Sequence, residues 1–342
     1  VYIGVDTASV AGNKVTDWAR ARASGVSFGI VRAAYGTWED TNFDRDFAAM
    51  KKAGVVRGAY LFLRFPYNPS KKMMARSKDG LIVQPQLPVL QQPPTKPMGS
   101  LKASSVPSPE AQAEAVCKIV GKLDQNDLPI SLDVEFPGNG REDTGMTAQQ
   151  LLAGVLKAWK VLKDTYGVPP IIYSSARVWL DDLLNQDVSK EVKESILWLA
   201  RYFFKAGPAV TNANQVIDPP VPMPWAGTDP KSTMYRNTPY TDDNWAAHQY
   251  QGNATGLPGF STNVVDMNRV RPMQKGDSGE RVKWLQRRLG FVGKDIDGKF
   301  GPKTDAALRK FQLGKTDLVS DGIAKPRELA YLCWQNPQNV AA

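Results

Sequence analysis

The strongest constraint on this chain is a rhythm. Over its first 270 residues, short apolar segments alternate with longer amphipathic ones. Short runs rich in β-branched and aromatic residues suit strands buried on both faces, and the stretches between them suit covering helices. The sequence predicts strands at Tyr2–Asp6, Phe28–Ala34, Arg57–Leu63, Ile130–Glu135, Ile171–Ser174, Ile196–Ala200, Ala246–Tyr250 and Asn263–Met267. Helices are expected near Asn13–Ala23, Phe43–Ala53, Pro109–Leu123, Thr147–Tyr166 and Ala176–Leu184. Thr147 with Gln150 makes a capping-box pattern, and Gly167 is placed as a helix stop. Such alternation predicts an α/β fold with a mainly parallel sheet, and eight strands suit a closed, TIM-like β/α barrel.

Barrels of this kind take their reactive side chains from the carboxyl ends of strands and the loops that follow. The segment Ile130-Ser131-Leu132-Asp133-Val134-Glu135 ends by placing two acids two residues apart. On a strand they share a face, roughly 7 Å apart along the chain. Mutual repulsion favours one of them keeping its proton near neutral pH. A proton donor beside a negative charge is the equipment of glycosidic cleavage. Asp6 and Asp266 are expected at the ends of the first and last strands, so barrel closure brings all four acids together.

Rare residues exclude other chemistries. The single histidine, His248, cannot make the two-histidine set usual in zinc hydrolases. No Gly-x-Ser-x-Gly elbow accompanies it. Cys117 and Cys333 stand far apart, giving neither a disulfide framework nor a metal spacing, and read as buried free thiols. Neither a cofactor nor a metal is therefore expected. No run approaches the ~20 apolar residues of a membrane span, and the opening Val1-Tyr2-Ile3 reads as strand rather than signal peptide.

The net charge of +9 is uneven. Residues 66–107 carry +5, residues 273–342 another +5, and the remainder is close to neutral. A basic loop and tail suit an anionic wall or membrane surface. Nucleic acid is not expected, because no recognition motif supports it. Residues 66–107 hold eight prolines, and residues 205–243 are rich in proline and aromatics, including Trp225, Tyr235 and Tyr240. Long irregular loops of this sort are usually functional or disordered. From Met273 a new unit begins: Gly276-Asp277-Ser278-Gly279 opens an amphipathic helix, and Asp297-Gly298 and Asp321-Gly322-Ile323 mark repeated turns before two more helices. A small three-helix domain is expected.

These pieces together resemble known families. Gly4-Val5-Asp6, Arg57-Gly58-Ala59-Tyr60-Leu61-Phe62, Leu132-Asp133-Val134-Glu135 and Ile172-Tyr173-Ser174-Ser175 resemble glycoside hydrolase family 25. So do Leu197-Trp198-Leu199-Ala200-Arg201-Tyr202, Gln249-Tyr250 and Val265-Asp266-Met267-Asn268. The tail resembles the peptidoglycan-binding type 1 module through its Leu-Gln pair and Asp-Gly-x-Phe-Gly-x-x-Thr.

The resemblance implies a catalytic barrel over 1–270, a peptidoglycan-binding domain over 273–336, and a lysozyme that cleaves the β-1,4 bond between N-acetylmuramic acid and N-acetylglucosamine. It implies Glu135 as general acid, Asp133 as its assistant, and Asp6 and Asp266 as supporting acids. Tyr35, Tyr60, Tyr173, Arg201, Gln249 and Tyr250 would contact substrate, although strand-end tyrosines also serve as packing. The pairing of modules is that of phage or prophage endolysins and some bacterial autolysins. It implies a monomer acting on peptidoglycan, held in the host cytoplasm until release or secreted. The alternative is a non-catalytic wall-binding or structural protein. Three departures stand out: Tyr35 where the family often has Glu, His248 where it commonly has Trp, and the long loop at 66–107.

Overall fold

The computed structural model describes residues 1–13, 16–67, 106–136, 140–175, 177–183, 191, 194–204, 206–211, 245–261 and 264–335. Eight strands close into a ring: β1 (Tyr2–Thr7), β2 (Val26–Tyr35), β3 (Val56–Phe62), β4 (Ser131–Asp133), β5 (Ile171–Ser174), β6 (Leu197–Phe204), β7 (Trp245–Thr255) and β8 (Val265–Val270). From β1 through β7 each strand pairs in parallel with the next. The last strand, β8, pairs antiparallel with both β7 and β1. Only residues 256–264 separate β7 from β8. A parallel crossover needs a dozen or more residues, so the chain must turn back.

The covering helices are α1 (Trp18–Ala23), α2 (Phe43–Ala53), α3 (Pro109–Val120) and α4 (Ala148–Tyr166). Three of them begin where the sequence offers a capping acceptor. The side chain of Asp17 caps α1, and Ser108 caps α3 ahead of Pro109. Thr147 and Gln150 form the expected capping box, and Gly167 ends α4 at φ 73°. Leu151, Val155, Ala158 and Leu162 recur at helical spacing and form the buried face of α4.

Some boundaries differ from expectation. The first helix starts at Trp18 rather than Asn13, whose side chain instead donates to the Val264 carbonyl. The stretch near Ala176–Leu184 holds a short π-turn at Val178–Asp182. Most of the two irregular segments, residues 68–105 and 212–244 with Trp225, Tyr235 and Tyr240, lies outside the described residues. Among the described residues no helix is long and apolar enough to cross a membrane. Both cysteines are free; Cys333 is buried, whereas Cys117 is only partly so.

The tail folds as α5 (Glu280–Arg288), α6 (Pro302–Leu313) and α7 (Pro326–Cys333). Its two Asp-Gly turns are built alike. Gln286 accepts from the Gly298 N–H and donates to Asp297, the Lys299 carbonyl and Thr304. Gln312 accepts from Gly322 and donates to Asp321, the Ile323 carbonyl and Glu328. Each buried glutamine thus locks one turn to the start of the next helix.

This module is packed onto the barrel. Phe28, Val56, Leu128, Ile171, Ala247 and Val270 share one apolar cluster with Val282, Leu285, Phe300, Leu308 and Leu329. The Trp334 indole donates to the Asp127 carbonyl at 2.8 Å, and Arg327 to the Gly54 carbonyl at 2.7 Å. Gly54 and Asp127 precede β3 and β4, so the module closes the barrel floor at the amino ends of the parallel strands.

Candidate active site

The opposite end of the barrel gathers the acids. Asp6 and Asp266 are cross-strand partners on β1 and β8. Asp266 sits near the start of its strand, not at its end as expected. Because β8 runs against β1, that start lies at the same mouth. Asp133 closes β4, level with Phe62 on β3 and Tyr173 on β5. The expected strand at Ile130–Glu135 is shorter, Ser131–Asp133, and Glu135 lies just past it. Hydrogen bonds from Val134 N–H to the Tyr173 carbonyl, and from the Ser174 hydroxyl to the Val134 carbonyl, fix the backbone that carries Glu135.

The four carboxyls feel one another. Burial, then Asp266, pushes Glu135 up to about 7, with Arg177 pulling it down. Burial lifts Asp266 to about 6 against the donating N–H of Asn253. Asp133 is raised by burial, then by Glu135 and Asp6, with Arg32 opposing. Asp6 is raised by burial and Asp266, and lowered by hydrogen bonds from Asn268 and Gln249. Taking charge out of water disfavours the ionised form, and neighbouring anions disfavour it again.

Two amides hold this arrangement. Gln249, 1% exposed, donates from Nε2 to Asp6 Oδ1 at 2.8 Å and Asp266 Oδ2 at 3.3 Å. Its Oε1 accepts from the Tyr173 and Tyr202 hydroxyls at 2.7 and 2.9 Å. Asn268 donates to Asp6 Oδ1 at 2.6 Å while its own oxygen accepts from the Trp198 indole at 2.7 Å. An indole N–H can only donate, so it fixes which end of Asn268 faces Asp6. Asp133 differs: its buried Oδ1 has no hydrogen-bonding partner among the described residues. Arg32 lies within electrostatic reach but is itself paired with buried Asp40 at 2.8 Å.

Tyr60, Tyr173 and Gln249 join the acids, but not as open walls. Tyr60 is buried among Arg32, Asp6 and Asp133. Tyr173 packs its ring 4.5 Å from that of Trp198. Gln249 spends both ends of its amide on its four protein partners. Tyr35 lies at the rim, level with Phe62, with ring centres 4.9 Å apart. Tyr250 does not fit the expected contact role. Strand alternation turns Tyr250 away from Gln249 into the outer layer, where it is fully buried and donates to the Val210 carbonyl. Arg201 is exposed, and its carbonyl takes the bond from His248 Nε2.

His248 is a packing residue. Arg269 donates to its Nδ1 at 2.9 Å, and burial, then Arg269, lowers it to about 3. The neutral ring therefore carries its proton on Nε2. Asn268, Trp198, Tyr202 and the Arg32–Asp40 pair were not singled out as site residues. For Asn268 a signal existed, since it shares strand parity with Asp266; for Arg32 and Asp40 there was none.

Comparisons with known proteins agree with this architecture. Residues 102–257 match the glycosyl hydrolases family 25, and residues 278–332 match the putative peptidoglycan binding domain family. The fold resembles the bacterial lysozyme from Streptomyces coelicolor, with TM-score 0.51 and 19% identity, covering 79% of this chain and 92% of that one. An uncharacterized protein of Kitasatospora aureofaciens is 46% identical over 72 residues, which is 20% of this chain and 60% of that protein. The zinc D-Ala-D-Ala carboxypeptidase of Streptomyces albus G is 46% identical over 59 residues, 16% of this chain and 23% of the enzyme. The chain thus spans less than two thirds of either curated relative. It carries a family 25 glycosyl hydrolase domain in its barrel and a peptidoglycan-binding domain at its C-terminal end.

Proposed function

We propose that the protein is a muramidase, hydrolysing the β-1,4 bond between N-acetylmuramic acid and N-acetylglucosamine in bacterial peptidoglycan. The observation that carries this reading is the convergence of four carboxyls at one mouth, with Glu135 pushed up to about 7. A carboxyl that keeps its proton near neutrality can protonate the leaving glycosidic oxygen, a contribution of about 10²- to 10⁴-fold. Glu135 is that acid. Asp133, closing β4 two residues before Glu135, is suited to orient the 2-acetamido group and to stabilise positive charge as the sugar flattens. Asp6 and Asp266, gripped by Gln249 and Asn268, supply fixed negative potential and position the attacking group.

The barrel domain runs to about residue 270, and the module from 273 to about 336 supplies wall affinity. Its basic residues favour an anionic wall. Intact peptidoglycan should yield fragments with muramic acid at the new reducing end by mass spectrometry. Wall binding without new reducing ends would overturn the reading in favour of a non-catalytic binding protein.

A further inference from the structure

The mouth carries a second built feature that the acids do not use. At the end of β2 the chain turns through Gly36 and Thr37, so that Trp38 pairs back against Tyr35. Gly36 sits at φ 65°, and a Cβ there would come 2.8 Å from Arg64 Cδ. The turn leaves room for the arginine stem. The Arg64 guanidinium rests 4.9 Å from the Tyr35 ring centre and 4.6 Å from that of Trp38. The two rings lie 6.2 Å apart and 29° from parallel.

The arginine backbone is pinned as well. Its N–H donates to Gln112 Oε1 at 2.8 Å, and Gln112 Nε2 donates to its carbonyl at 2.9 Å, with Gln112 fully buried. Trp38 is nevertheless 49% exposed. Among the described residues, no carboxylate forms an ion pair with Arg64. A half-exposed tryptophan beside a positioned cation is a prepared surface.

Its place matters. Tyr35 is level with Phe62, and Phe62 with Asp133. Two inter-strand steps put the Tyr35 backbone about 10 Å from that of Asp133, at the same mouth and two strands away. Aromatic faces stack on sugar rings, and a stacked guanidinium keeps its planar edge free for a bidentate carboxylate.

Building on the muramidase reading, we propose that Tyr35, Trp38 and Arg64 form a distal subsite for a sugar bearing a carboxylate substituent. The ring lies on Trp38 and the carboxylate meets Arg64. Two sources supply that carboxylate chemistry: the lactyl ether of the sugar, and a stem peptide attached to it.

The test is equilibrium binding of soluble glycan fragments to the full chain carrying Glu135→Gln, with and without Arg64→Gln or Trp38→Ala. Three fragment sets are used: peptide-bearing, peptide-stripped with free lactyl carboxylates, and peptide-bearing with every carboxylate amidated. Arg64→Gln should weaken binding about three- to tenfold for whichever carboxylate the subsite reads, and leave amidated fragments unaffected. Trp38→Ala should weaken all three. Equal affinities across the variants, or an Arg64→Gln loss as large on amidated fragments, would overturn the subsite. The muramidase reading fails separately, if the unaltered chain releases no reducing ends whatever its affinity.

Discussion

Replacing Glu135 with glutamine should abolish cleavage and also stabilise the fold, little at about pH 5 and increasingly as pH rises to about 7 and above. In the folded chain Glu135 holds its proton up to about 7, against 4.5 for an ordinary glutamate. The folded state therefore binds more protons than the unfolded state between those values. Its stability contribution is fully present below 4.5 and is lost as pH rises through 7. The amide introduced by Glu135→Gln cannot ionise and escapes the loss. The shift integrates to about 3 kcal/mol at pH well above 7, of which roughly 2–3 kcal/mol separates about pH 8.5 from about pH 5. For a chain of this size that is a gain of roughly 5 °C in Tm at the higher pH and little at the lower. Differential scanning calorimetry of both proteins at the two pH values reads it directly. Equal Tm changes at both, or a loss at the higher, would refute a Glu135 carboxyl held out of water among other acids.

Gln249→Met keeps the shape but removes the donors to Asp6 and Asp266. Loss of hydrogen bonds to an anion raises its pKa, so the acidic limb of kcat/KM should move up by about a unit. The two orphaned tyrosine hydroxyls should also cost about 1–3 kcal/mol each in urea unfolding. Truncation after residue 272 uncovers the barrel floor, where each re-exposed large apolar side chain costs about 1.5–3 kcal/mol. The isolated barrel should unfold more than about 10 °C below the full chain by calorimetry, whereas a freely tethered module would leave its Tm unchanged.

Particular elements show how far the sequence reached. The strand and helix alternation predicted a barrel because hydrophobic period is a local property, written residue by residue. Thr147, Gln150 and Gly167 announced both ends of α4 for the same reason. The acids were legible from motif and parity. Partners were not: nothing local says that Gln249 spends its amide on Asp6, Asp266, Tyr173 and Tyr202. The same blindness placed Tyr250 at the substrate. Its neighbour Gln249 points inward, and alternation alone, applied to the right strand phase, turns Tyr250 out.

By itself, then, the chain's order of residues determined the elements, their closure into a barrel, the pair Asp133 and Glu135, and a separate three-helix tail. Tertiary structure alone decided which side chains grip those acids, how strongly each carboxyl is desolvated, and that the tail seals the opposite end. Period, capping and turn chemistry depend on neighbours within a few residues. Desolvation and charge coupling depend on groups such as Asp6 and Asp266, which lie at opposite ends of the barrel sequence and meet only when β8 turns back against β1.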